Sequence, residues 1–441
     1  MKEHPATGLD AEHPAIGLDF GTTNSAVAWR TGDGSAQLAE FAAGDKRTST
    51  FRSVVYFDRG EDGEDLLSTS AGPGAIEHYL ASEEKAGRLV QSLKSFLASR
   101  LFQSTVIFGE TWRLELLVAL ILRPIREQAE AALGRPVTRA VCGRPVRFVN
   151  ARDESDEALA LRRLEAALHN AGFTDVTFEF EPVGAAWHYE RGLEDDELIL
   201  IADFGGGTSD FSLMRVGPSL RRDGRRAESF LGNDGVPLAG DAFDGKLIRH
   251  VVAPLLGRGA EFKSMFDRVL PVPAWIYSHL ERWHHLSFLR SRKTQQLLLD
   301  LRRDALEPEK LEALLHVVQR DLGFLLFRSV EAAKRALSEG EEARFQFAHE
   351  DLEIDEPVTR TDFESWIAEE LDAMATCVDG LLKRARLRPE HVDRVFLTGG
   401  SSLVPAVRRI FAERFGEEKL RAGGELTSVA SGLALRAADE R

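Results

Sequence analysis

The chain has 441 residues, of which 43% are hydrophobic and 29% charged, a composition typical of a globular protein long enough for two or more domains. Its 71 acidic and 56 basic side chains give a formal net charge of −15, which argues against nucleic-acid and anionic-membrane partners because both repel an acidic surface. The two cysteines, Cys142 and Cys377, belong to no metal-ligand spacing, so we expect ordinary thiols in a reducing cytoplasm.

The N-terminus and the apolar runs argue against export or membrane insertion. Residues 1–14 are charged and lack the apolar core of a signal peptide, so we expect a flexible tail there. The longest uninterrupted apolar run, Leu116 to Leu122, is too short to cross a bilayer. A cytoplasmic protein without a membrane partner is therefore expected.

The first predicted elements are a strand, a tight turn and a second strand. Apolar residues alternate with small or polar ones from Ala15 to Gly21, and the run from Ala26 to Trp29 resumes the pattern as a hairpin partner. Further patterns predict strands from Phe51 to Phe57 and from Val137 to Cys142, and helices from Ala81 to Leu101, Thr111 to Leu133 and Glu157 to Asn170.

The middle of the chain repeats the opening pattern. An apolar strand from Leu198 to Ala202 runs into Asp203-Phe204-Gly205, and a hairpin strand follows from Phe211 to Val216. Asp19 and Asp203 occupy the same place in the two copies, and a domain length separates them. We therefore predict an internal duplication, with two lobes that each open with a strand, a glycine loop and a strand.

The second half of the chain is largely helical from Ala253 to Ser338 and then returns to strand and helix. A strand from Val395 to Leu397 precedes the loop Thr398 to Ser402, and helices are predicted from Val404 to Phe415 and from Ser428 to Ala438.

The loops after the two matched strands suit a polyphosphate, because backbone N–H groups approach phosphate oxygens closely only where side chains are small. Each loop follows one aspartate, and a carboxylate pair across a cleft suits a magnesium ion that keeps most of its waters. Either loop alone could be a simple hairpin turn, but the matched pair makes that interpretation weak. The loop residues are Gly21, Thr22, Thr23 and Asn24, and Gly205, Gly206, Gly207 and Thr208.

Neither loop has the spacing of a P-loop or of a dinucleotide-binding fingerprint, so those nucleotide folds are not favoured. A third loop of small residues precedes a predicted helix, and its backbone could approach a flat adenine ring. Its residues are Gly399, Gly400 and Ser401.

Three segments in this order resemble motifs of the DnaK-type 70-kDa heat-shock protein family, within the actin-like ATPase superfamily. Residues 16–25 (IGLDFGTTNS) and 203–210 (DFGGGTSD) are similar to the two phosphate motifs of the family, and residues 397–405 (LTGGSSLVP) to its adenosine motif. The resemblance runs from about Ala15 to Ala438, and the chain is identified as a truncated, YegD-like member.

The resemblance implies roles for single residues around the two aspartates. Asp19 and Asp203 would hold the metal, Lys94 resembles the catalytic lysine that contacts the γ-phosphate, and Glu181 with Asp210 would order waters. The alternative for Lys94 is a solvated helix lysine.

The resemblance also implies an adenosine site. Residues 239–244 (AGDAFD) resemble the Gly-Gly-x-x-Phe-Asp motif of the family, with Gly240 at the second glycine position. An ordinary turn would explain Gly240 as well. Four residues spaced along one helical face would embrace ribose and adenine, unless they form a surface stripe of ion pairs: Glu331, Lys334, Arg335 and Ser338. Leu403 departs from the family, which usually has an arginine against adenine there.

These observations predict an α/β, two-lobed actin-like ATPase fold with a duplicated core. We expect a first lobe at residues 15–197, with an inserted subdomain at about 49–108, and a second at 198–441, with a helical insert at about 236–344. The predicted function is magnesium-dependent binding and slow hydrolysis of ATP, coupled to lobe closure.

Two other functions remain open on this fold: a sugar or carboxylate kinase, and a nucleotide-binding scaffold without turnover. The resemblance to the family stops where its nucleotide-binding domain stops, so no hydrophobic-peptide domain is expected. The insert from Ala253 to Phe327 is unlike the standard chaperone, and we expect a protein partner to bind there.

Overall fold

The computed structural model describes residues 14–44, 46–59, 67–81, 87–190, 193–223, 230–264, 268–282, 289–422 and 428–439. The flexible tail predicted for residues 1–14 lies outside these ranges, apart from Pro14. Within them, no helix has the length and apolar character that a membrane span requires. The chain forms two compact units: unit 1 contains residues up to 237, 374–402 and 411 onward, and unit 2 contains residues 238–373 and 403–410.

Short strands and longer helices alternate along the described residues. The strands, numbered β1 to β22, are Ala15–Asp19, Asn24–Arg30, Ala36–Leu38, Phe41–Ala43, Lys46–Thr48, Phe51–Arg52, Val54–Arg59, Leu67–Ala71, Arg88–Gln91, Ser104–Ile107, Glu110–Arg113, Arg139–Arg144, Asp175–Phe180, Glu197–Phe204, Ser209–Val216, Phe230–Val236, Glu261–Lys263, Val269–Pro271, Glu342–His349, Leu352–Thr359, Arg394–Thr398 and Leu420–Ala422. The α-helices are Pro73–Ala81, Leu114–Leu133, Glu154–Asn170, Glu181–Glu190, Pro218–Asp223, Gly240–Leu247, Ala274–Leu280, Arg292–Asp304, Pro308–Gln319, Gly323–Glu339, Arg360–Trp366, Ala368–Arg384, Pro405–Phe415 and Ser428–Asp439. Short 3₁₀ turns include Leu93–Phe96 and Gly400–Leu403.

The two main sheets of unit 1 share one topology, which confirms the predicted duplication. In the first sheet β1 pairs antiparallel with β2 and parallel with β12. On the outer sides, β2 pairs with β3 and β12 pairs with β13. In the second sheet β14 pairs antiparallel with β15 and parallel with β21, and those partners pair with β16 and β22. The α/β class is therefore as predicted.

Helices cover both faces of the first sheet. The apolar faces of Leu114–Leu133 and Glu154–Asn170 join the same buried cluster as Ile16, Leu18 and Val27. Successive side chains of a strand point to opposite faces, and Ala26 and Ala28 accordingly pack on the other side, against the C-terminal helix Ser428–Asp439. The small side chains let this helix lie close to the sheet.

The described residues of unit 2 form helices and two β-hairpins. The segment predicted to be helical from Ala253 to Ser338 contains the helices 274–280, 292–304, 308–319 and 323–339, and the hairpin β17–β18 interrupts it. Buried leucines, among them Leu298, Leu311 and Leu314, form its interior. The longer hairpin β19–β20 follows the helix Gly323–Glu339 and packs against it.

Two predicted helices are wrong in part. Helical structure was expected from Ala81 to Leu101, but Arg88–Gln91 is a strand that pairs with β7, and a 3₁₀ turn follows it. The long helix begins at Leu114 and not at Thr111, because Glu110–Arg113 forms a hairpin with β10. In both places pairing with another strand overrides the local helical pattern.

Candidate functional site

The duplicated hairpins place three aspartates next to their turns. Asp19 ends β1, and Asp203 lies near the end of β14. Asp203 is directly paired across the sheet with Asp210 of β15, so that both side chains lie on one face. The corresponding partner of Asp19 is Ala26, so the second hairpin carries one acid more than the first.

A buried lysine and glutamate complete this acidic cluster. Lys94 donates from Nζ to Oε1 of Glu181 over 2.7 Å, and the two side chains are only 9% and 10% exposed. Lys94 lies in the 3₁₀ turn Leu93–Phe96, which follows Ser92 in a left-handed conformation. Glu181 is the first residue of the helix Glu181–Glu190. The alternative of a solvated helix lysine is therefore wrong, because Lys94 is neither helical nor exposed.

The charges in the cluster act strongly on one another. Burial, with the nearby Glu181 carboxylate, raises the pKa of Asp19 to about 8, although Lys94 opposes this. Burial and Glu181 raise the pKa of Asp203 to about 6, and burial raises the pKa of Asp210 well above its usual value. For Lys94, burial lowers the pKa, but the carboxylates of Glu181 and Asp19 outweigh it and raise the pKa overall.

One difference between the two halves contributes to the smaller pKa shift at Asp203. The Thr398 hydroxyl donates to Asp203 Oδ1 over 2.8 Å, which stabilises the ionised carboxylate. In the first sheet the strand residue at the position of Thr398 is Gly143, which has no hydroxyl, and a Cβ there would lie 3.0 Å from Cγ of Glu181. The first half thus makes room for Glu181 where the second half supplies a hydrogen bond.

The cluster has the properties of a cation site. Asp210 Oδ2 accepts from the Thr208 hydroxyl over 2.8 Å, while its Oδ1 is buried without a hydrogen-bond partner among the described residues. Four carboxylates surround one ammonium group, and an excess of buried negative charge calls for protons or a metal ion. Asp19 and Asp203 are half-buried as residues, and a small number of carboxylates suits a magnesium ion that retains water ligands. The residues present therefore fit the implied ion.

The two predicted phosphate loops lie directly beside these acids. A Cβ at Gly21 would overlap the carbonyl oxygen of Asn24, so the first turn is too tight for any side chain at that position. In the second loop the Gly205 N–H donates to the Thr208 carbonyl over 2.9 Å and closes a similar turn. Neither turn is fully buried, and Gly205 is exposed. The loops are therefore accessible to a ligand beside the acids.

The third glycine loop packs against the end of β14, just before the second loop. Gly399 has a φ of 83°, and a Cβ there would overlap the carbonyl oxygen of Phe204 at the end of β14. Gly400 and Ser401 begin a 3₁₀ turn, in which Gly400 is exposed and Ser401 buried. Only glycine fits at position 399 without strain, so the Gly-Gly-Ser sequence is explained in part by packing.

In unit 2 the structure brings together two parts of the predicted adenosine site. Lys334 forms an ion pair with Asp244 at 2.6 Å, and its Nζ lies 3.4 Å from the Gly240 carbonyl oxygen. The Ser338 hydroxyl donates to the Lys334 carbonyl one turn earlier in the helix Gly323–Glu339. Glu331 and Arg335 share this helix, and Arg335 is exposed. The exposed Leu403 also belongs to unit 2.

Sequence reasoning missed the contacts that hold Glu181 in place. A Cβ at Gly432 would overlap the carbonyl oxygen of Gly184, so the C-terminal helix touches the helix of Glu181 backbone to backbone. Gly17 of β1 meets the same C-terminal helix at Ala434. The small residues of Ser428–Asp439 are evident from the sequence, but the sequence does not show that they pack against the helix Glu181–Glu190.

Comparison with known proteins gives a consistent assignment. The family model described as "Hsp70 protein" matches residues 85–258 and 320–438. "Chaperone protein DnaK" of Thermosipho africanus is 27% identical over 423 residues, which cover 95% of this chain and 58% of that protein. "Chaperone protein DnaK" of Thermus thermophilus is 26% identical over 433 residues, covering 95% of this chain and 60% of the relative. The chain thus spans about three fifths of the length of these relatives.

The matched part has the fold of the actin-like ATPase domain of that family, in agreement with the duplicated sheets. Residues 259–319, which the family model leaves unmatched, lie within the segment from Ala253 to Phe327. Because the family model covers well over half of the residues, the chain belongs to the Hsp70 family.

Proposed function

We propose that the chain binds ATP together with magnesium and hydrolyses it slowly. The observation that carries this proposal is the placement of Lys94 and Glu181 among three aspartates, beside the two glycine loops of a duplicated fold. Loops of this kind cradle phosphates, and a surplus of carboxylates suits a metal ion that accompanies them.

In this proposal Asp19 and Asp203 hold the hydrated magnesium ion, which would neutralise phosphate charge when bound. The small residues of the two loops, Thr208 included, donate backbone N–H groups to the β- and γ-phosphates, with the hydroxyls of Thr22 and Thr23 as further donors. Such catalysis consists mainly of positioning and charge stabilisation.

Lys94 is the group that steadies the transferring phosphoryl group. Its ammonium is held charged by the raised pKa, and Glu181 fixes its position. Glu181 and Asp210 are proposed to order the water that attacks phosphorus. The Asp210 oxygen that has no partner among the described residues supports this role, because it is a buried acceptor that can take a hydrogen bond from water.

For the nucleoside we propose separate contacts on each unit. In unit 2 the helix face of Glu331, Lys334, Arg335 and Ser338, with Gly240, is assigned to ribose and adenine. In unit 1 the same role is assigned to the backbone of Gly399, Gly400 and Ser401. The Lys334–Asp244 ion pair supports a defined position for the lysine.

Closure of the two predicted lobes, residues 15–197 and 198–441, would communicate the bound nucleotide to a binding partner. We propose that this partner is a protein that binds the helical insert. Exposed apolar side chains in the insert, Val269, Leu270 and Trp275, support such a surface. Cytoplasmic localisation remains part of the same proposal.

Two measurements test the nucleotide assignment. Calorimetric titration with ATP and ADP should give saturable binding that weakens when magnesium is chelated, and equal affinity without magnesium would contradict the metal assignment. Phosphate release from ATP without any acceptor should be slow but measurable. Turnover that requires an added sugar or carboxylate would identify a kinase, and absence of turnover under all conditions would identify a scaffold.

A further inference from the structure

A cluster of metal-ligating side chains lies in unit 2, among residues that the proposed nucleotide function does not use. His316 belongs to the helix Pro308–Gln319, His349 ends strand β19, and Glu350 occupies the first position of the two-residue turn to β20. One ligand atom from each of the three side chains can be chosen so that all lie within 4.8 Å of one another.

We propose that His316, His349 and Glu350 form a binding site for a divalent transition metal, with zinc as the ion that fits best. Two imidazoles and one carboxylate are typical zinc ligands, whereas magnesium and calcium prefer oxygen ligands alone. The site is thus chemically different from the acidic cluster around Asp19 and Asp203.

Two of the three separations between ligand atoms suit a single ion, and the third lies within 4.8 Å. His316 Nε2 lies 3.0 Å from His349 Nδ1 and 3.8 Å from Glu350 Oε2. With zinc–ligand bonds of about 2.1 Å, two ligand atoms of a tetrahedral site are about 3.4 Å apart. Shifts of a few tenths of an ångström would therefore give both pairs that separation. Without the ion, the short nitrogen–nitrogen contact is a hydrogen bond in which one imidazole donates to the other.

The surroundings leave the site accessible. The His316 side chain is 22% exposed and that of Glu350 48% exposed, so the ion can enter and keep water as a further ligand. The Arg320 guanidinium lies 3.4 Å from Glu350 Oε2, and its side chain is 58% exposed. A metal would compete with this exposed ion pair, which contributes little stability.

The position of the site indicates what the metal would do. It would join the helix Pro308–Gln319 to the hairpin β19–β20, and the chain between these ligands includes the helix Gly323–Glu339. A cross-link that closes a loop stabilises a fold by restricting its unfolded chain. His316 also lies within residues 259–319, which the Hsp70 family model does not match. We therefore infer a structural metal clamp that joins the insert, through His316, to the hairpin β19–β20 that follows it.

The test is a zinc titration of the full, untagged chain with excess magnesium present to occupy the acidic cluster. Wild-type protein should bind one zinc ion at this site and unfold at a higher temperature with zinc than without it. Loss of a residue that only orients a metal ligand already costs about 10- to 100-fold in affinity. We therefore expect His316→Gln and His349→Gln each to weaken binding by at least about 100-fold, and Glu350→Gln by about tenfold.

The glutamine variants retain a polar side chain that can hydrogen-bond, and their circular dichroism should match that of the wild type. His78→Ala serves as a matched control, because His78 is an exposed histidine of unit 1, and zinc affinity should not change. Cobalt(II) provides a second readout, since its visible absorption should appear in the wild type and be lost in His316→Gln. Equal zinc affinity in the wild type and His316→Gln, or no saturable binding at all, would overturn the proposal.

Discussion

The buried Lys94–Glu181 pair allows a structural role of the lysine to be separated from a catalytic one. Both side chains are about nine-tenths buried and are joined at 2.7 Å. Lys94→Met removes the ammonium group and leaves Glu181 among three aspartates. Breaking a buried ion pair in this way costs about 3–5 kcal/mol of folding free energy, because the remaining charge is neither solvated nor paired.

The double variant Lys94→Met with Glu181→Gln should recover most of that stability. Replacing both members of a buried pair by neutral groups of similar size is often nearly neutral. Urea denaturation monitored by fluorescence would therefore place the double variant close to the wild type and the single variant Lys94→Met well below it.

Turnover should not recover with stability. A single charge that stabilises a transition state is worth about 10²- to 10³-fold in kcat, so the double variant should hydrolyse ATP at least about 10²-fold more slowly than Glu181→Gln alone. Steady-state phosphate release, measured on all three variants at saturating ATP, supplies the comparison. Equal rates in the double variant and Glu181→Gln would show that Lys94 only neutralises Glu181, and its assignment to the phosphoryl group would be wrong.

The remaining predictions concern the metal ligands and the packing behind them. Asp203→Asn should reduce the magnesium-dependent gain in ATP affinity by at least about tenfold, because one of two proposed carboxylate ligands is lost; calorimetry with and without magnesium measures this, and an unchanged gain would remove Asp203 from the metal site. Gly432→Ala should destabilise unit 1 by about 3 kcal/mol or more, because the new Cβ would overlap the Gly184 carbonyl. Gly74→Ala is its control: no atom lies within 4 Å of the new Cβ, and the change should stabilise its helix by up to about 1 kcal/mol. Similar denaturation midpoints for these two alanine variants would refute the packing argument.

Much of the first and second sheets could be predicted from the sequence, because the signals there are local. The alternating strands, the glycine turns and the aspartates before them recur in both halves, and the topology of the two sheets is the same. The Asp–Phe–Gly repeat therefore identified the duplication and the positions of Asp19 and Asp203 without any knowledge of long-range contacts.

The surroundings of Lys94 could not be predicted in the same way. Residues 88–91 have a helical pattern in the sequence, but they add a strand to β7, more than thirty residues earlier in the chain. The following 3₁₀ turn, which carries Lys94, depends on that pairing. The lysine was found through a family resemblance, and its partner Glu181 is distant in sequence.

The contacts between glycines could not be predicted from the sequence either. Gly184 and Gly432 are separated by most of the second sheet, and their approach follows only once the C-terminal helix has docked against β1. Likewise, the Lys334–Asp244 ion pair joins residues from two helices of unit 2. A periodicity of 3.6 residues predicts which residues lie on one face of a helix, but it does not predict which element packs against that face.

The two halves of the duplicated core show how one topology can serve two purposes. Asp210 and Ala26 hold the same register, each opposite the aspartate of its hairpin. Ala26 packs against Ala430 and Ala434 of the C-terminal helix, and an ionised carboxylate in that position would be buried without a partner. At Asp210 the side chain instead joins the acidic cluster beside the second loop. A small residue is therefore required where a helix covers the hairpin, and an acid is tolerated where the cluster can supply a cation. The symmetry of the backbone is thus broken by what packs on each hairpin, and only the second hairpin contributes two acids to the cluster.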